Sequence, residues 1–138
     1  MGEFREIPSL NIWKDGEWAK CEQFWLEERL VYYSEKYDET IIVPEGFETD
    51  LASIPRPARL LIPKNDSHRA PAIVHDWLCR TARSHDDRKK ADHIFLEAMK
   101  DVDHAMKPNP FMCTVYSIRR RTMFTFVRLA GMARSYPE

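Results

Sequence analysis

The sequence has 138 residues, 43% apolar and 31% charged, which suits a single domain with one hydrophobic core. Lys and Arg number 21 against 22 Asp and Glu, and a net charge of −1 argues against a whole-surface grip on nucleic acid or anionic membrane. No run reaches the roughly 18 apolar residues of a bilayer span, and the charged start Met1–Glu6 lacks the apolar centre of a secretory signal. The three cysteines, Cys21, Cys79 and Cys113, are widely spaced and contain no C-x-x-C pair, so they suit a reducing compartment better than a disulfide or zinc framework.

The first fifty residues are rich in aromatic and β-branched side chains. Asp15-Gly16 is a hairpin signal that would join Leu10–Trp13 to Trp18–Phe24. Phe24–Tyr33 and Thr40–Val43 read as strands on either side of the polar connection Ser34–Glu39. Pro44-Glu45-Gly46-Phe47 is a turn, with Gly46 where a positive φ is expected. The proline-rich segment from Thr49 to Pro57 then leads out of the sheet. Three helices follow: about Ser67 to Thr81, from Ser84–Asp87 to about Val102, and from just after Pro108-Asn109-Pro110 to about Ala130. The expected fold class is α+β. A small, mostly antiparallel N-terminal sheet (1–50) connects through a bridging loop (51–66) to a bundle of about three helices (67–138), all in one domain.

The chemistry-bearing residues concentrate on the first helix. Ala70–Cys79 reads APAIVHDWLC, with His75 and Asp76 as its polar residues. A surface helix would show a charged face across two and a half turns, so this one is expected to be buried. A buried carboxylate needs a cation or several donors, which singles out Asp76. On the next helix Asp92 sits beside the apolar positions Phe95 and Met99. A short link makes the two helices antiparallel neighbours, so Asp92 can approach His75 across their interface. A carboxylate on one imidazole nitrogen leaves the other available as a general base or metal ligand; equally, the pair can be two buried groups satisfying each other. Asp50 and Ser53, in T-D-L-A-S-I-P, read first as caps of a short turn. Asp50 is also a candidate second ligand, with Asp76, for one divalent cation, and Ser53 supports that loop.

Other signals are weaker. The histidines lack H-E-x-x-H spacing, and Ser53 lacks a G-x-S-x-G context. Cys79, one turn beyond His75, reads as a small core residue. Arg119-Arg120-Arg121 reads as a solvated face. The following apolar stretch Met123–Met132, interrupted by one arginine, reads as a core or oligomer helix.

Three ordered blocks carry a resemblance. Val43-Pro44-x-Gly46-Phe47-x-Thr49-Asp50-Leu51-Ala52-Ser53-Ile54-Pro55-Arg56 is followed by Ala72-x-x-His75-Asp76-Trp77-Leu78 and then by Ala91-Asp92-x-x-Phe95-x-x-Ala98-Met99. Together they resemble the phage and prophage proteins of the family catalogued as domain of unknown function 1353. The resemblance implies a phage or prophage origin, residence in the host bacterial cytoplasm or the virion, and other phage proteins or a host protein as partners. The pattern His75-Asp76…Asp92-x-x-Phe95 is also similar, more distantly, to the helix pair of bacterial and viral-capsid phospholipase A2 domains. That likeness implies His75 as general base, Asp92 as the group orienting it, and Asp76 as a calcium ligand. The Gly-rich calcium loop of that family is missing here.

Two expectations follow. One is a metal-assisted hydrolase in which His75 and Asp92 act on water and Asp76 with Asp50 holds calcium or zinc. The other is a non-enzymatic virion, tail-associated or host-binding protein in which the same residues clamp helices together. A homo-oligomer is compatible with either.

Overall fold

A computed structural model describes residues 2–7, 10–13, 23–49 and 66–136. Its elements in chain order are β1 (Glu3–Glu6), β2 (Leu10–Trp13), β3 (Gln23–Leu26), β4 (Leu30–Ser34), β5 (Glu39–Val43), β6 (Glu48–Thr49), α1 (Asp66–Thr81), α2 (His85–Ala105) and α3 (Pro110–Ala133). The α+β class is the one the sequence indicates.

The strands form two three-stranded antiparallel sheets, ordered β1-β4-β5 and β2-β3-β6. The single strand expected over Phe24–Tyr33 is divided. Glu27, Glu28 and Arg29 are exposed and turn a corner, so β3 joins one sheet and β4 the other. Backbone bonds from Leu26 N to Phe47 O (3.1 Å) and from Gly46 N to Leu26 O (2.9 Å) fix that corner against the turn before β6. Gly46 has φ +81°, the left-handed value that favours glycine there. Strands β2 and β3 pair from Leu10↔Leu26 to Trp13↔Gln23, while the Asp15-Gly16 turn expected between them lies outside the described residues.

Local chemistry sets the helix ends. Ser84 caps α2 by accepting from Asp87 N (3.1 Å), and the Asp87 carboxylate reaches back to accept from Arg83 N (3.0 Å). Asn109 caps α3 in the same way through Met112 N (2.9 Å), with Pro110 opening the helix, where its missing N–H costs nothing. Helix α3 runs three residues beyond the expected Ala130, so Gly131 lies inside its last turn.

The core lies between the β1-β4-β5 sheet and the helices. Leu30, Tyr32, Ile41 and Val43 meet Ala70, Ile73 and Val74 of α1 and Ile94, Phe95 and Ala98 of α2; Met123 and Val127 of α3 close it. Helix α2 is central, packed on α1 along one side and on α3 along another. One residue of α2 can therefore reach both neighbouring helices.

Candidate functional site

Asp92 occupies that central place. The α1–α2 hairpin brings His75 Nε2 to 2.6 Å from Asp92 Oδ1, and both side chains are fully buried. Arg88, one turn earlier on α2, donates from Nε to the same oxygen at 3.1 Å, and its NH2 donates to the Val127 carbonyl of α3 at 3.3 Å. From α3 itself, Arg128 donates to Asp92 Oδ2 at 2.6 Å. One carboxylate thus accepts from all three described helices. Gly131 is what lets α3 come this close, because a Cβ there would lie 2.9 Å from Arg88 Cγ and 3.2 Å from Asp92 Oδ2.

The electrostatics follow from burial. Desolvation holds the His75 imidazole below its ordinary value, against the upward pull of the Asp92 hydrogen bond and charge. A neutral ring facing a carboxylate through Nε2 must carry its proton there, so His75 donates. The Phe95 ring lies 4.8 Å from the imidazole. Cys79 Sγ is 3.4 Å from His75 Nε2, and burial pushes its thiol up to about 12, which keeps it protonated.

Asp76 has separate work. It accepts from the Thr49 hydroxyl and, at 3.3 Å, faces Arg80 Nε. Arg80 also donates to the Glu48 carbonyl at 2.7 Å and lies over the Phe47 ring, so this second cluster ties α1 to β6. His75 and Asp76, adjacent in sequence, diverge around the helix and serve different interfaces. Asp50 and Ser53 lie outside the described residues.

Among the described residues, the donor atoms of His75, Cys79 and Asp92 lie within 4.8 Å of one another, a spacing that could hold one metal ion. The surrounding charges fit an ion poorly. Asp92 already faces two guanidiniums and an imidazole N–H, whereas a metal wants an uncommitted carboxylate.

Sequence reasoning singled out His75, Asp76 and Asp92 but missed Arg88, Arg128 and Gly131. Two signals were present: Arg88 stands four residues before Asp92 on one helix face, and Arg128 is the lone charge in Met123–Met132. The arginine triplet also differs from the expected solvated face. Arg119 and Arg120 turn inward to the buried Asp103, at 2.8 and 2.6 Å, and Arg121 is exposed.

No curated protein and no solved structure matches the chain. A family model described as "Protein of unknown function (DUF1353)" matches residues 24–127, from β3 to the carbonyl of Val127 that Arg88 holds. The chain belongs to that family.

Proposed function

We propose that the chain is a phage-encoded accessory protein that works by binding, as a virion- or tail-associated component or as a factor that engages a host protein. The phage assignment rests on the family resemblance. One contrast carries the binding reading: the residues best suited to catalysis are sealed and mutually neutralised, while α3 holds large apolar side chains in solvent. His75 and Asp92 have no exposed surface, whereas Phe111, Ile118, Leu129 and Met132 are 59–74% exposed. A catalytic base must reach its substrate's proton directly or through one water, and His75 is enclosed on all sides. Exposed apolar side chains along one helix mark an interaction surface.

One observation favours a second reading, a metal-assisted hydrolase. The imidazole is oriented by a carboxylate as a general base requires, with a third donor atom beside it. Under that reading the core opens to admit substrate, and Asp76 with Asp50 holds the cation.

Both readings meet in one experiment. Purified protein is titrated with calcium and with zinc by calorimetry, then assayed on ester and phosphodiester substrates beside His75→Gln. The binding reading expects no stoichiometric ion and no turnover above the variant. One equivalent of ion, with turnover lost in His75→Gln, overturns it in favour of the hydrolase.

A further inference from the structure

The exposed apolar residues of α3 have a specific spacing. Phe111, Val115, Ile118, Thr122, Thr125, Leu129 and Met132 alternate intervals of four and three, a repeat of seven maintained over three heptads. Phe111, Val115, Ile118, Leu129 and Met132 are all exposed, and none of the seven is buried. This narrow stripe differs from the broad apolar face of a helix lying in a membrane surface, and its period of 3.5 is the seam that another helix fills. The two threonines are compatible with such a seam. Thr122 Oγ1 donates to the Ile118 carbonyl and Thr125 Oγ1 to the Arg121 carbonyl, both at 2.8 Å, so their hydroxyls are satisfied within the helix.

We propose that α3 is a self-association surface, on which a second copy of this chain lays its own α3 antiparallel. This rests on the binding reading above and names the partner. In an antiparallel pair, alternate seam positions of one helix face the opposite set on the other. One register sets Val115 against Met132 of the second copy, Ile118 against Leu129 and Thr122 against Thr125, and the two-fold axis repeats each pairing. Within these six positions apolar meets apolar and threonine meets threonine, the self-complementarity that an isologous interface requires, and Phe111 packs past the end of the partner helix. The exposed parts of the five large side chains amount to roughly 500 Å² per copy, and with the threonines and flanking stems the buried area approaches the ~800 Å² per partner of an ordinary stable interface.

The charges beside the seam make the idea specific. Helix α3 has no acidic residue, and the exposed Arg121 flanks the stripe. Two copies bring these arginines toward each other, so association strengthens as salt rises. An acidic protein or an anionic membrane would bind more weakly as salt rises.

Sedimentation equilibrium of the full chain tests the proposal, with Ile118→Glu and Leu129→Glu as variants. Both positions face solvent, so the fold survives and circular dichroism checks it. The expected result is a dimer that tightens between about 0.05 and 0.5 M salt and weakens at least ~100-fold in either variant, since symmetry counts each change twice. Register is read by disulfide trapping in a Cys21→Ser/Cys113→Ser background, with the buried Cys79 retained. Ile118→Cys with Leu129→Cys cross-links two copies, and neither single substitution does; cross-linking by Ile118→Cys alone would overturn the antiparallel register.

A wild type that stays monomeric at about 0.5 mM overturns self-association, since weaker pairing falls outside specific interfaces. If that monomer floats with phosphatidylcholine/phosphatidylglycerol vesicles and Ile118→Glu does not, the stripe is a lipid-binding face. If a monomeric wild type and Ile118→Glu complement a phage deletion equally well, the binding reading of α3 fails too.

Discussion

Replacing Asp92 with asparagine keeps the side chain's shape and removes its charge. In the native protein that charge answers Arg88, whose side chain is 3% exposed, and Arg128, which is 22% exposed. Arg128 can swing toward solvent when the carboxylate is lost. Arg88 cannot, although it retains the Val127 carbonyl. The amide keeps one accepting oxygen in place of two, while its NH2 must face a guanidinium or the His75 N–H. Breaking a buried ion pair from one side costs about 3–5 kcal/mol, and the partial relief at Arg128 places this case near the lower end, about 3 kcal/mol. For a chain of this size that lowers Tm by roughly 10 °C. Thermal and urea unfolding followed by circular dichroism measure it. The sign separates the two readings: replacing a carboxylate held for catalysis often stabilises a protein, whereas removing a clamp destabilises it. A loss below about 1 kcal/mol, or any gain, refutes the clamp. The double variant Asp92→Asn/Arg128→Met should be less destabilised than the two single losses added together, because the second change removes a charge the first left unpaired.

Other expectations follow from the same geometry. Gly131→Ala should destabilise by about 1–2 kcal/mol in chemical denaturation, although alanine is the better helix former by about 1 kcal/mol, because its Cβ collides with Arg88 and Asp92; a stabilised variant would mean that α3 can move away freely. Burial raises the Asp101 carboxyl, whose Oδ2 accepts from Tyr32 OH at 2.6 Å, from 3.8 to about 6. The stability linked to its protonated form is therefore complete below pH 3.8 and lost as pH rises through about 6. Asp101→Asn should gain on the order of 1 kcal/mol at pH 7, discounted for its partial exposure, and nothing at pH 3.5; equal effects at both pH values would contradict this. His75 has the opposite sign. Its value is held below 6.5, so its contribution is present above pH 6.5 and declines as pH falls through the lowered value, and His75→Gln should flatten that acid limb of the stability profile. Alkylation with peptide mapping should label the exposed Cys113 quickly and the buried Cys79 only on unfolding.

What could be read from the sequence was local. The period of α2 and the brevity of the link expected over Arg83–Asp86 bring Asp92 to His75, and the apolar surroundings of the His-Asp pair point to burial. The carboxylate's other partners were hidden for a physical reason: Arg128 lies 36 residues beyond Asp92, and the docking of α3 depends on a glycine whose role exists only once two helices touch. Likewise the His75-Asp76 dipeptide looks like one site, yet helical geometry sends the two side chains to different interfaces. The strand reading failed at Glu27–Arg29 because two sheets meet there, and strand propensity does not encode which sheet a strand joins.

The most direct measurement is the hydrogen exchange of the His75 side-chain N–H by NMR. A sealed clamp gives an Nε2–H resonance that persists in water and exchanges only as fast as the whole protein unfolds. An Nε2–H that exchanges freely in the native state, on a ring that titrates with solvent, would contradict the clamp and make His75 an accessible base.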